Sequence, residues 1–102
     1  MHSGAYSDQV PALWIGYIEV PASVEAKIRT RRGVTGDQVR AACQWPATPL
    51  RAVWHDHPEY GRRLIVVAVD EQGRTLKVVL QPVDIADGTW RLRTVIVAGQ
   101  GA

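Results

Sequence analysis

The chain has 102 residues, of which 46% are hydrophobic and 22% charged, with a formal net charge of +2. That length and balance are typical of one globular domain, so residues 1–102 are predicted to form a single domain with a loose terminus at 1–12. No apolar run approaches the roughly 20 residues that span a bilayer, which argues against a membrane partner.

Two further features bear on the cell compartment. The first dozen residues lack a basic region followed by an apolar stretch, so no signal peptide is predicted. The single cysteine, Cys43, excludes an internal disulfide and a thiolate zinc cluster, and it fits a reducing cytosol. We therefore expect a cytoplasmic protein, and the sequence gives no reason to predict a cofactor.

The N-terminal half is predicted to contain one strand and two helices. Residues 14–20 are aromatic and β-branched, which favours a strand ended by Pro21. Residues 22–32 contain no helix breaker, and a second helix is predicted from about 35 to 44. The segment 45–49 contains Pro46 and Pro49, which restrict the backbone of the residues before them, so it is predicted to be a rigid, non-helical link.

The turn between the two helices is the most informative stretch of the chain. Arg31 and Arg32 lie at the end of the first helix, where cations interact favourably with its dipole, and Gly33 fits its C-terminal stop. Thr35 and Gln38 match a capping box for the second helix. The same stretch is strongly basic, which suggests a polyanionic ligand.

The C-terminal half has a sequence period of two, which predicts strands at 50–56, 63–69, 75–81 and 89–98. Pro82 is predicted to end the third of these strands. Short links between successive strands favour an antiparallel sheet. The predicted fold class is α+β, with two N-terminal helices packed on one face of a mainly antiparallel sheet of four to five strands.

Alternation along the strands predicts which side chains share the face without helices. In the last strand, Trp90, Leu92, Thr94 and Ile96 are predicted to lie on the face opposite Arg91 and Arg93. The predicted uncovered face carries histidines and cations: Arg51, His55, His57, Lys77, Arg91 and Arg93, with Arg62 or Arg63 at the edge of the central strand.

This group of side chains has a chemical use. Metal-free RNA cleavage needs a base, an acid and cations near the phosphate; histidine suits proton transfer near neutral pH, and arginine suits the phosphate. The residues alone leave three alternatives open: a solvated polar face, simple anion binding, and catalysis. His55-Asp56-His57 with Glu59 offers nitrogen and oxygen ligands, but two histidines at i and i+2 plus one carboxylate, without a fourth partner, make a poor metal site. Cys43 and the four tryptophans (Trp14, Trp45, Trp54 and Trp90) are predicted to be core residues.

The order of the elements and a set of short motifs resemble the BrnT-like branch of the RelE/ParE toxin superfamily, over roughly residues 18–98. The motifs are Lys27…Arg31-Arg32-Gly33-Val34-Thr35, Gly61-Arg62-Arg63-Leu64-Ile65-Val66-Val67, Gly73-Arg74…Leu76…Val78-Val79 and Gly88-Thr89-Trp90-Arg91-Leu92-Arg93-Thr94. The resemblance implies a RelE-like fold, metal-independent endoribonuclease activity on mRNA, and neutralisation by a cognate antitoxin. Whether the ribosome takes part is left open.

The resemblance also implies roles for particular residues. The Lys-His-Gly-Val signature of the family falls on Arg31 to Val34, with Arg32 where the family usually has histidine. The Ser-Ala-Arg ending of the family falls on Thr94 to Ile96, so this chain has isoleucine where the family has its final arginine. Either His55 or His57 has taken the proton-transfer role, or RNA binding persists without turnover.

The sequence thus predicts a catalytic group and a phosphate-binding group. The catalytic candidates are His55, His57, Arg63 and Arg91, and the RNA- and phosphate-binding candidates are Lys27, Arg31, Arg32, Arg62, Lys77 and Arg93. The alternative function is a non-catalytic module of the same fold that binds RNA or an acidic protein.

Overall fold

The computed structural model describes residues 14–44 and 50–99. The chain order of one strand, two helices and four strands is confirmed: β1 (Tyr17–Glu19), α1 (Ala22–Arg32), α2 (Gly36–Gln44), β2 (Arg51–His57), β3 (Gly61–Val69), β4 (Thr75–Asp84) and β5 (Thr89–Val97). The predicted terminus at 1–12 and the predicted link at 45–49 lie outside the described residues. Within the described ranges, neither helix is long and apolar enough to cross a membrane.

The five strands form one open sheet in the order β1-β5-β4-β3-β2. Strands β2 to β5 pair antiparallel with their neighbours, whereas β1 pairs parallel with β5. The sheet is therefore mixed, and its one parallel pair joins the first strand to the last. The fold class is confirmed as α+β.

Several strand boundaries differ from the predicted ones: β1 is confined to Tyr17–Glu19, β2 begins at Arg51 and β5 ends at Val97. His57 belongs to β2, β3 begins at Gly61, and β4 continues through Pro82 to Asp84. The prediction that Pro82 ends β4 is wrong. Pro82 lies beside a register shift between Pro82 and Asp84, and strands tolerate the missing proline N–H at such irregularities.

The helices cover one face of the sheet, and the hydrophobic core lies between them. The predicted inward residues of α2, Val39, Ala42 and Cys43, are buried, as are Ile28 of α1 and Trp90 of β5. The prediction for the other tryptophans is only partly right: Trp54 is half-buried, Trp14 is 55% exposed, and Trp45 lies outside the described residues.

The turn between the helices has the geometry that the sequence predicts. Gly33 adopts a left-handed φ of 67°, which glycine adopts without strain. Thr35 and Gln38 form the reciprocal capping box: the Thr35 N–H donates to Gln38 Oε1 at 2.9 Å, and the Gln38 N–H donates to Thr35 Oγ1 at 3.1 Å.

A buried ion pair ties this turn to the β3–β4 hairpin, and we call it the hairpin clamp. Arg74 Nε donates to Asp70 Oδ2 at 2.8 Å, while its other nitrogens donate to Gly33 O at 3.0 Å and Gln38 Oε1 at 3.3 Å. The Asp70 side chain is 1% exposed, and its Oδ1 also accepts the N–H of Gln72 and of Arg74. The clamp thereby satisfies a buried carboxylate and fixes the end of the sheet against the helices.

A second carboxylate joins α1 to the start of α2. The Gly36 N–H donates to the Glu25 carboxylate at 3.0 Å, and Arg29 pairs with the same group one helical turn away. The hydrogen bond from Arg29 and that from Gly36 lower the pKa of Glu25 against the opposing effect of desolvation.

Candidate functional site

The face of the sheet that carries no helix, here called the open face, holds a transverse row of charged and polar side chains. His55 of β2 lies directly opposite Arg63 of β3. Further along the same row, Gln81 of β4 lies opposite Arg91 of β5, and Arg91 lies opposite Glu19 of β1. Because opposite residues in a sheet share a face, this row brings together three of the four predicted catalytic residues along one line.

An extra residue in β5 changes which side chains reach the open face. Thr94 pairs with Val79 and Leu92 pairs with Leu80, so Arg93 is inserted between two successive pairs as a β-bulge. The predicted alternation is therefore wrong after Leu92: Val95 and Val97 are buried, whereas Ile96 is 40% exposed.

The bulge completes a depression in the open face, which we call the histidine depression. Its volume is about 310 Å³, and Arg93 and Thr94 both line it. Ile65 and Val79 are its apolar members. The full lining is His55, His57, Tyr60, Arg63, Ile65, Val79, Arg93 and Thr94.

His57 is held in one orientation by the turn that follows β2. Its ring stacks on Tyr60 with 4.5 Å between centroids. Its Nδ1 accepts the backbone N–H of Glu59 at 3.0 Å and of Tyr60 at 3.1 Å. A neutral imidazole that accepts at Nδ1 carries its hydrogen on Nε2, so His57 presents a hydrogen-bond donor to its surroundings.

His55 differs from His57 in its surroundings. The two rings meet edge-on at 6.3 Å between centroids, and no described residue forms a hydrogen bond with the His55 ring. Both of its nitrogens are therefore available to a ligand in the described part of the molecule. Of the two histidines, His55 is the one placed to accept and release a proton beside Arg63.

The basic end of α1 adjoins the same region. Lys27, Arg31 and Arg32 line a small crevice between α1 and β5, and this crevice also includes Thr94. Since Thr94 lines the histidine depression as well, the helix cations and the depression adjoin the same residue of β5. The sequence predicted both groups but gave no reason to connect them.

Arg62 and Arg91 do not line the depression. Arg62 is on the opposite face of β3, where its guanidinium lies 4.3 Å from the Trp54 ring and pairs with Asp56 at 3.5 Å. Of the predicted alternatives Arg62 and Arg63, the open face thus holds Arg63. Arg91 is on the open face but donates to Glu19 Oε1 from two nitrogens, at 3.0 and 3.2 Å.

Arg51 and Lys77 belong to a second depression of the open face, nearer the other end of the strands. Its volume is about 330 Å³, and Val53, Ile65 and Val67 line it between the two cations. Val53 is 62% exposed. The open face is therefore more apolar at this end than the sequence predicts, because the prediction attended to its cations alone.

The chemistry of the remaining candidates follows from burial and spacing. Burial raises the pKa of Cys43 to about 12, so its thiol stays protonated and unreactive at neutral pH, as its predicted core position implies. In the described ranges, no group of three or more histidine, cysteine or acidic side chains is close enough to hold a metal ion.

Three residues of the site were missed by sequence reasoning. Tyr60 was assigned only to a turn, Thr94 was assigned to the covered face, and Glu19 was not considered. An aromatic residue three positions after a histidine could have indicated the Tyr60 stack. No sequence signal indicates the bulge that exposes Thr94.

Comparisons of the chain with models of protein families, with curated proteins and with solved structures found no match.

Proposed function

We propose that this chain is the toxin of a type II toxin–antitoxin pair, of the BrnT-like branch of the RelE/ParE superfamily, and that it cleaves mRNA without a metal. In this proposal the chain has a RelE-like fold, acts in the cytoplasm and is neutralised by a cognate antitoxin. The observation that carries it is the histidine depression, where His55, whose ring nitrogens accept and donate no hydrogen bond within the described ranges, lies opposite Arg63.

The geometry supports distinct roles for the residues. His55 takes the proton from the ribose 2′-hydroxyl, and the resulting 2′-oxygen attacks the adjacent phosphorus to form a 2′,3′-cyclic phosphate. The 5′-oxygen leaves with the proton that His55 has taken, and the Nε2–H of His57 donates a hydrogen bond to the phosphate group without losing its hydrogen. Arg63 and Arg93 stabilise the charge that develops on the phosphate.

The rest of the basic surface binds the strand on either side of the cleaved bond. Lys27, Arg31 and Arg32 extend the phosphate path from the depression along α1. Tyr60 offers an aromatic surface on which an unpaired base stacks. Single-stranded RNA fits this arrangement better than a duplex, since a stacked base must be unpaired.

The test is cleavage of a 5′-labelled single-stranded RNA by the purified chain in excess EDTA. We expect a new end bearing a 2′,3′-cyclic phosphate, and no cleavage when the RNA carries a 2′-O-methyl group at the cleaved nucleotide. His55→Ala should reduce cleavage at least a hundredfold, in the range of general acid–base catalysis. Cleavage that needs a divalent metal, or that persists in His55→Ala, would contradict the mechanism.

Growth of cells tests the toxin assignment separately. Expression of the chain should arrest growth and deplete mRNA, and co-expression of the protein encoded beside it should relieve the arrest. Arg63→Ala and Arg91→Ala should each relieve toxicity. Normal growth and intact mRNA at high expression would count against a toxin.

The second candidate is a non-catalytic module that binds RNA or an acidic protein. One observation favours it: His57 Nδ1 already accepts two backbone N–H groups, so among the described residues that line the depression only His55 has a histidine nitrogen available as an acceptor. RNA affinity that falls steeply with salt, without any cleavage, would identify this module.

A further inference from the structure

The two edges of the sheet differ in how their backbone groups are satisfied. At the β1 edge, side chains of α2 occupy the outward groups: Arg40 Nε donates to Ile18 O at 2.9 Å, and the Ile18 N–H donates to Gln44 Oε1 at 3.3 Å. Gln44 Nε2 also donates to Gly16 O at 3.2 Å. A strand could add at this edge only by displacing those side chains.

Among residues 14–44 and 50–99, no side chain covers the β2 edge in this way. β2 is the last strand of the sheet and pairs with β3 over all seven of its residues, Arg51–His57. In the described ranges, no residue bonds to the backbone groups on its outer side. A seven-residue edge with unpaired N–H and C=O groups is a template for another strand, and proteins usually protect such edges.

The side chains beside this edge define the chemistry of a binding partner. Val53, at the middle of β2, is 62% exposed and borders the second depression, whose apolar residues lie between Arg51 and Lys77. On the open face, neither β2 nor β3 carries a carboxylate; their side chains there are Arg51, Val53, His55, His57, Arg63, Ile65, Val67 and Val69. The surface is complementary to an apolar side chain flanked by carboxylates.

We propose that the β2 edge binds an extended acidic segment of a partner protein, which adds to the sheet as a sixth strand. Its backbone pairs with β2, an apolar side chain contacts Val53, and carboxylates two residues to either side face Arg51 and the His55–Arg63 pair. This docking mode goes beyond the proposed ribonuclease activity and does not depend on it.

Charge argues against a second copy of the chain as the occupant. Two antiparallel β2 strands in one continuous sheet place open-face residues opposite open-face residues. Whatever the register, the second copy brings only Arg51, Val53, His55 and His57 to that face. It supplies no carboxylate for Arg51, whereas an acidic partner does.

The experiment uses the full chain, labelled with ¹⁵N, and the synthetic peptide acetyl-Thr-Glu-Thr-Val-Thr-Glu-Thr-amide. We expect the peptide to bind and to slow hydrogen exchange at least tenfold for the outward amides of β2, without an effect on β1. A peptide with lysine in place of glutamate should bind about tenfold more weakly. Two further peptides carry N-methyl groups on alternate backbone nitrogens, one on the odd positions and one on the even positions. Only one of the two should lose binding, because alternate N–H groups of a strand point to opposite sides and only one set pairs with β2.

A charge exchange tests the residue assignment. Arg51→Glu should reverse the preference, so that the lysine peptide binds more tightly than the glutamate peptide, which also shows that the variant is folded. Arg51→Gln should weaken the glutamate peptide several-fold. Gln72→Glu, which changes the net charge by the same amount on the distant β3–β4 turn, should leave the affinity unchanged.

Several outcomes would overturn the proposal. They are exchange protection outside β2, equal binding of both methylated peptides, or a preference that Arg51→Glu does not alter. Protection of the β2 amides by self-association at high concentration would identify a second copy as the occupant. Protection of the same amides by an RNA oligonucleotide, with no effect of the peptide, would assign the surface to RNA. None of these outcomes depends on whether the chain cleaves RNA.

Discussion

The hairpin clamp and the open face carry the same kinds of charged side chain in opposite states. In the clamp, Arg74 makes hydrogen bonds to three residues, and the Asp70 carboxylate that it pairs with is buried. On the open face, Arg51, Lys77 and Arg93 form no ion pair with any residue in the described ranges. The first arrangement contributes to stability, whereas the second leaves charge available to a ligand.

The difference shows that burial of the surrounding groups determines whether an arginine stabilises the fold or remains available to a ligand. A carboxylate taken out of water needs its cation and its backbone donors, because an unpaired buried charge is costly. A cation on an exposed sheet face has no such requirement, since water solvates it. Substitutions in the two regions should therefore separate stability from binding.

Arg74→Ala is expected to have the largest effect, a loss of about 3 kcal/mol in the free energy of unfolding, because it leaves the Asp70 carboxylate buried without its cation. Chemical denaturation measures the loss. Arg63→Ala is the matched control on the open face and should change stability by no more than about 0.5 kcal/mol. Equal losses in the two variants would contradict the distinction between the regions.

Arg63→Ala and Arg93→Ala should each weaken the binding of single-stranded RNA about tenfold and lower the salt slope by about 0.7. The measurement is RNA affinity by fluorescence anisotropy over a range of salt concentrations. Arg40→Ala removes the same charge at the β1 edge and should leave the slope unchanged. A similar loss of slope in all three variants would indicate binding by net charge alone.

Glu25→Gln should cost about 1 kcal/mol of stability at pH 7, since it weakens the acceptor at the start of α2. The sign of the pH dependence follows from the lowered pKa of Glu25. The contribution is present above its unfolded-state pKa and is lost as the pH falls through the lower folded-state value. The unfolding free energies of the two proteins should therefore converge in acid, and a difference that persists there would contradict this cause.

Glu19→Gln should raise RNA affinity about threefold, because it removes the carboxylate that pairs with Arg91 on the open face. The pair is half-exposed, so its loss should cost at most about 0.5 kcal/mol of stability. RNA titration of the variant and of Glu71→Gln, on the β3–β4 turn, compares two equal changes in charge. An equal gain in both variants would show that Arg91 does not contact RNA.

Cys43 should be inert towards a thiol reagent at pH 8 in the native protein, because burial raises its pKa to about 12. Reaction should follow unfolding, and it should therefore be faster in Arg74→Ala than in Arg63→Ala. With a disulfide reagent that releases a coloured thiolate, the absorbance of that thiolate measures the rate of reaction with Cys43. Rapid labelling of the native chain would show that the core around α2 is open.

Local patterns predicted most of the fold, because they depend on neighbouring residues. Gly33, Thr35 and Gln38 fix the turn between α1 and α2 by short-range hydrogen bonds, and the structure has these bonds. The parallel pairing of β1 with β5 depends on contacts about 70 residues apart, and no local pattern specifies it.

The site was predicted in part for the same reason. Alternation placed His55 and Arg63 on one face, because they lie on regular stretches of β2 and β3. It failed at Thr94, where one inserted residue changes the phase of β5, and it could not foresee that Glu19 would reach Arg91 from a different strand. The sequence therefore gives the residue types of the site more reliably than their neighbours.

The bulge at Arg93 has a consequence for how this surface can vary among related chains. Deletion of Arg93 would join Leu92 directly to Thr94 with their partners Leu80 and Val79 unchanged, so β5 would become a regular strand in which Val95 and Val97 stay buried and the bulge is lost. No single substitution has that effect. The length of β5, to within one residue, is therefore as much a determinant of this surface as the identity of its cations, and insertions or deletions are the mutational steps that would create or erase it.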